Sequence, residues 1–235
     1  MRIGKFFTLA TIFVAAFMLG SCSKDDDEEE SEKVNNVDNV KHEYVDLGLP
    51  SGTLWATCNV GASKPEEYGD YFAWGETEPK EIYSFSTYKW CNGSYDTRTK
   101  YCTDSEYGIV DNKTVLDPED DAATVNWGSS WCMPSIKQIE ELYSYTTTKD
   151  TTINGVNGLL ITSNNNDETL FLPAAGWRID AGLEYVNYQG NYWSRSLDTE
   201  YNHPIDMFCT FHGFNGYGGS NRPAGFSVRP VRAKK

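Results

Sequence analysis

The sequence predicts an α+β fold. Strand patterns occupy both ends of the chain, and two helix signatures sit between them. That segregated order fits strands and helices in separate layers rather than an alternating parallel sheet. Aromatic residues make up 14% of the chain, and there are 20 Gly. Together with many Asn, this composition suits a loop-rich domain whose Tyr, Ser, Gly and Asn loops resemble those of recognition surfaces.

Each element follows from a local pattern. Alternation over residues 43–49 predicts a first strand and residues 53–60 a second, separated by the turn residues Pro50-Ser51-Gly52. Residues 71–75 predict a short aromatic strand. Asp117, then Pro118 and the acids Glu119, Asp120 and Asp121, predict a short helix capped by Asp117 and ended by Asn126-Trp127-Gly128. Ser135 and Gln138 form a capping box, and Ile136, Ile139, Leu142 and Tyr143 share one face of a helix reaching about Tyr145. The Thr-rich stretch beyond it breaks the pattern. Residues 159–162 and 169–172 flank a polar turn and predict a hairpin. Residues 192–196, 206–211 and 225–231 predict the remaining strands.

The start of the chain gives an address. Arg2 and Lys5 precede an apolar run over 6–19, shorter than the roughly 20 residues that span a bilayer. This reads as a secretory signal peptide. The step Leu19-Gly20-Ser21-Cys22 resembles a bacterial lipobox, in which the cysteine is lipidated and becomes the mature N-terminus. The acidic run after it resembles the export signal of surface lipoproteins of Bacteroidota. The expected organisation is a lipoprotein signal peptide over 1–21, lipidated Cys22 with an acidic disordered tether over 22–43, and one domain over 44–235. The expected location is the outer membrane, facing the cell exterior, with palmitate among the anchoring chains.

Net charge is −14, which argues against nucleic acid as a partner and against docking on anionic lipid through a basic patch. There are 6 cysteines. Lipidation of Cys22 leaves an odd number in a compartment that permits disulfides. Cys91 and Cys102 flank the turn Asn92-Gly93-Ser94 and are the candidate disulfide. Cys58 with Cys132 is a second possible pair.

Several phrases carry a family resemblance. They include Tyr44-Val45-Asp46-Leu47-Gly48-Leu49-Pro50-Ser51-Gly52, Leu54-Trp55-Ala56-Thr57-Cys58-Asn59-Val60-Gly61, Trp74-Gly75-Glu76-Thr77 and Trp131-Cys132-Met133-Pro134-Ser135. Phe171-Leu172-Pro173-Ala174-Ala175-Gly176, Tyr192-Trp193-Ser194-Arg195-Ser196 and Gly225-Phe226-Ser227-Val228-Arg229-Pro230-Val231 follow in order. Over residues 44–232 the chain resembles the Fibrobacter succinogenes major paralogous domain family. The resemblance implies a C-type-lectin-like fold: small antiparallel sheets, two flanking helices, long irregular loops, and first and last strands that meet. It assigns no ligand. Cys132 stands where the family usually carries Arg, which implies the loss of a local salt bridge.

No catalytic or metal constellation is expected. Calcium needs six to eight oxygens, but Glu78-Pro79-Lys80 offers a cation where calcium-dependent lectins place an oxygen, and Tyr192-Trp193-Ser194 lacks an acid. The acids at 117–121 suit a helix N-terminus. Strand alternation puts Cys209 and His212 on opposite faces, which disfavours zinc. With 3 His and no nucleophile elbow, the chain reads as non-catalytic and without a cofactor.

The expected function is non-catalytic binding or adhesion toward glycan or protein through C-terminal aromatic and Gly-rich loops. The candidate ligand residues are Tyr192, Trp193, Phe208, Thr210, His212, Phe214, Asn215, Tyr217 and Asn221. If Met207 and Cys209 face the core, Phe208, Thr210 and His212 face solvent. A structural or accessory role in a surface assembly is the alternative. The implied fold also resembles that of variable proteins of diversity-generating retroelements, which randomise Asn-type codons near the C-terminus; nearly every residue over 201–233 is reachable from such codons, Met207 excepted.

Overall fold

The computed structural model describes residues 40–200, 202–210 and 213–234, with backbone only at 208–210 and 213–217. Cys22, the leader and most of the tether lie outside them.

The described chain forms small antiparallel sheets with few helices. In the first sheet, β2 (Thr53–Ala56) lies between β1 (Tyr44–Val45) and β11 (Val231–Ala233). Trp55 faces Val45 on one side and Val231 on the other, so the two ends of the domain meet on one buried strand. The second sheet has the order β3-β4-β5 (Thr146–Ile153, Val156–Ser163, Thr169–Pro173). The hairpin β6-β7 follows (Trp177–Ile179, Gly182–Glu184). The last sheet is β8-β9-β10 (Gln189–Asp198, His203–Thr210, Gly213–Gly219).

Helix α2 (Ile136–Ser144) has the expected capping box. Gln138 Oε1 accepts from the Ser135 N–H at 2.9 Å, and Ile139 and Leu142 are buried. Tyr143, expected on that apolar face, is exposed. The first predicted helix splits. Asp117 starts a 3-10 turn over Pro118–Asp120, and Asp121 then caps α1 (Ala122–Trp127). The Asp121 carboxylate takes the N–H groups of Ala123 and Thr124 and also that of Met133. A side chain held from three directions fixes a new helix start there.

Three further expectations change. The Thr-rich stretch after α2 is strand β3, paired along its length with β4; β-branched Thr suits a half-exposed strand. Residues 71–75 form no strand, only a bridge between Phe72 and Phe226. Within residues 225–231, Gly225, Phe226 and Ser227 form only single bridges, and strand begins at Val231.

Strand β8 divides the core. Trp193 stacks on Phe226 at 4.1 Å within one cluster that includes Trp74, Trp127 and Met133. Tyr192, on the opposite face, joins Leu47, Ile139, Leu159, Ile161 and Met207 in another. Successive strand residues point to opposite sides, so a strand covered on both faces buries both rings.

The candidate Cys91–Cys102 disulfide is not formed; Cys58, Cys91, Cys102 and Cys132 are all free thiols. The Cys91 thiol points to the Phe85 carbonyl and the Cys102 thiol to the Asp104 carbonyl, both at 3.1 Å. The segment holding the two cysteines is closed instead by backbone pairing of Cys91 with Arg98 and by Asp111, which accepts from the N–H groups of Tyr101 and Cys102. Cys132 exchanges backbone hydrogen bonds with Val231, and burial pushes its thiol up to about 11.

Candidate functional site

A tyrosine-bearing loop between β7 and β8 is built from unusual backbone. The β6-β7 turn holds Asp180 at φ +49°, and the loop beyond it holds Tyr185 at +56° and Asn187 at +61°. Asn tolerates the left-handed region, whereas Tyr there is uncommon and costs free energy. The loop is pinned throughout. The N–H groups of Tyr188 and Gln189 both donate to the Tyr185 carbonyl, at 3.0 and 3.1 Å. The Asn187 N–H donates to the Ala174 carbonyl at 2.8 Å. Asn187 Oδ1 accepts from the Asn157 N–H and the Tyr68 hydroxyl, each at 3.0 Å. Gly176 closes the base at φ +68°, where an added Cβ would sit 2.1 Å from the Glu184 carbonyl oxygen.

This frame turns two rings outward. Tyr185 is 54% exposed and Tyr188 52%. Their centroids lie 6.2 Å apart, and Trp177 lies 6.2 Å from Tyr185 on the other side. Trp177 also meets Phe226 at 6.0 Å, which ties the row to the core. The Trp177 indole N–H is buried and has no partner among the described residues. Glu184, the cross-strand neighbour of Trp177, is exposed, while the Arg178 guanidinium lies over the Tyr71 ring at 5.2 Å.

The expected site residues distribute unevenly. Tyr192 and Trp193 are completely buried and are corrected as ligand residues. Their polar atoms are used inside: the Tyr192 hydroxyl donates to the Pro173 carbonyl at 2.6 Å, and the Trp193 indole N–H to that of Phe72 at 2.7 Å. Phe208 and Thr210 lie on β9, and Phe214, Asn215 and Tyr217 on β10; their side chains, and all of His212, lie outside the described residues. The backbone corrects the loop expected there, because β10 is a strand paired with β9 and irregular between Phe214 and Gly216. Asn221 is exposed just beyond the far end of β10.

Backbone pairing links the loop to that segment. Gln189 pairs with Thr210, and Thr210 with Gly213. Residues 185–188 therefore flank the end of the sheet where β9 and β10 connect. Tyr185 and Tyr188 were missed in the sequence. The available signal was two Tyr around an Asn, with Gly182 before and Gly190 after, a composition that permits positive φ.

The ionisable groups elsewhere are engaged in packing. Asp120 accepts from Lys100 and the Tyr101 hydroxyl, both at 2.6 Å, and Asp117 pairs with Lys100 and Lys113. Those lysines hold the Asp117 carboxyl down at about 2. Lys80 pairs with Glu76 at 2.7 Å. His42 stacks on Trp127 at 3.7 Å beside a groove of about 280 Å³ lined by Lys41, Thr57 and Cys58; burial lowers its imidazole pKa. Among the described residues, no three His, Cys, Asp or Glu side chains group as metal ligands, and no helix is long and apolar enough to cross a membrane.

No protein-family model matches the chain, and no curated protein or solved structure matches it.

Proposed function

We propose that this chain is a lipid-anchored outer-membrane protein, facing the cell exterior, that binds a glycan or protein ligand without catalysis. The exposed Tyr185 and Tyr188 on a hydrogen-bonded, positive-φ loop carry this reading. Exposed aromatic side chains on a fixed backbone favour recognition, because little ordering remains to be done on binding. The lipobox-like step at Cys22 and the acidic run support the anchor and the address. The proposed domain is C-type-lectin-like, of the Fibrobacter succinogenes major paralogous domain family. The phrases above and the junction of β1, β2 and β11 support that assignment.

A structural role in a surface assembly is the second reading. The exposed Tyr95, Ile109 and Val110, which lie within residues 91–111, favour it.

Display of the full-length chain in a Bacteroidota host tests the first reading. Protease should remove the domain from intact cells, and Cys22→Ser should release the chain from the membrane. Cells should adhere to glycan or protein arrays, and Tyr185→Ala/Tyr188→Ala should abolish that adhesion. Protection from protease on intact cells, or adhesion unchanged by the tyrosine variant, would refute the proposal.

A further inference from the structure

The geometry of the row and the charge around it point to a ligand class. This inference rests on the binding-module reading above. We infer that Trp177, Tyr185 and Tyr188 form a stacking platform for a neutral, soluble oligosaccharide, held without a metal ion.

The rings suit sugars. A pyranose presents C–H faces that lie against an aromatic face, and phenol hydroxyls can both donate to and accept from its hydroxyls.

The row is twisted. Trp177 and Tyr185 are inclined by 50°, and Tyr185 and Tyr188 by 43°. Rings that all touch a flat crystalline polysaccharide must be nearly coplanar. Rings tilted from their neighbours by 50° and 43° share no such plane, whereas the units of a single chain can each rotate to meet a ring. The platform therefore fits a soluble glycan better than a crystal face.

Charge narrows the class. The chain carries −14, and exposed Glu184 sits beside Trp177. Arg178, the cation of this hairpin, lies over Tyr71. Uronates, sulfated glycans and anionic lipid would meet like charge without a compensating guanidinium. A protein partner would need roughly 800 Å² on this side. Among the described residues, the hairpin register adds only Ile179 to the Trp177 face, with Leu183 on the opposite one, so the described apolar surface around the rings is small.

Affinity electrophoresis of the full-length chain in detergent micelles tests this. The gels would contain xyloglucan, galactomannan, mixed-linkage β-glucan, mannan or soluble starch. Polygalacturonate and heparin serve as acidic polymers, and pull-down on microcrystalline cellulose and chitin supplies the flat surface. At least one neutral soluble polymer should retard the chain, equally with and without EDTA. Tyr185→Ala/Tyr188→Ala, checked for an unchanged melting transition, should weaken that retardation about tenfold or more.

Retardation by acidic polymers alone, abolition by EDTA, or capture by crystalline polymer in preference to soluble would overturn the inference. So would neutral retardation that the double variant leaves unchanged. If the chain instead captures immobilised surface proteins through the two tyrosines and no glycan, the sugar assignment fails while the binding reading stands. Capture of neither defeats both.

Discussion

Tyr185 and Tyr188 stand only a few residues before Tyr192 and Trp193, yet the first pair faces solvent and the second is completely buried. Side-chain chemistry does not separate them. Backbone does. Tyr192 and Trp193 lie in an extended strand with a hydrophobic cluster on each face, so either side of the strand leads into the core. Tyr185 and Asn187 lie at positive φ, in a loop whose amides donate to the Tyr185 and Ala174 carbonyls and whose Asn187 Oδ1 accepts from the Asn157 N–H. Where alternation is interrupted by left-handed residues, the rule that assigns faces along a strand no longer applies.

The contrast can be broken most severely from its buried side. Trp193→Ala removes a stacked indole and leaves the Phe72 carbonyl without its side-chain donor. The expected loss is about 3–5 kcal/mol, read as a lowered midpoint in denaturant titration. Tyr192→Phe should cost less, about 1 kcal/mol for the hydroxyl bond to Pro173, with ligand binding intact.

Gly176→Ala attacks the exposed side without touching a ring. A methyl group at φ +68° and 2.1 Å from the Glu184 carbonyl oxygen cannot be placed without moving the loop base. The expected cost is about 1–3 kcal/mol, together with lost binding although both tyrosines remain. Unchanged binding would show that the loop frame does not position the rings.

Asp206, the cross-strand neighbour of Trp193, gives a pH test of the buried side. Burial raises its carboxyl above 3.8, against hydrogen bonds from Asn191 and Ser220 that lower it. An acid raised in the folded state binds its proton more tightly there than in the unfolded chain. Its contribution to stability therefore grows as pH falls through the raised folded value toward the unfolded one. Asp206→Asn should remove that gain, so the parent chain's unfolding midpoint should rise relative to the variant's as pH falls from neutral to about 4.

The smallest change in stability belongs to the exposed pair. Tyr185→Ala and Tyr188→Ala should each stay within about 0.5 kcal/mol of the parent chain, while binding falls. A larger loss would mean that the rings support the fold.

The sequence disclosed what is encoded locally. The Ser135–Gln138 box and the apolar spacing of Ile139 and Leu142 define α2 without tertiary information. The β4-β5 hairpin likewise follows from two apolar runs around a polar turn. What stayed hidden depends on partners distant in the chain. Strand β10 reads as loop because its Gly content carries no alternation, and only β9 alongside makes it a strand. Asp121 looks like one more first-turn acid until the Met133 N–H is seen to bond it. Cys91 and Cys102 suit a disulfide by spacing, but each thiol is aimed at a carbonyl. Tyr192 and Trp193 read as candidate ligand residues although both are buried, and the exposed Tyr185 and Tyr188 just before them went unread. Burial of Tyr192 and Trp193 required knowing that both faces of β8 are covered, and exposure of Tyr185 and Tyr188 required knowing φ.

Hydroxyl-radical footprinting of the full-length chain, read by mass spectrometry with and without the retarding neutral polysaccharide, measures the two pairs together. The account predicts rapid labelling of Tyr185 and Tyr188, protection of both by the polysaccharide, and Tyr192 and Trp193 unlabelled in either condition. Labelling of Tyr192 or Trp193 as fast as the loop tyrosines, or loop tyrosines that the polysaccharide leaves unprotected, would contradict it.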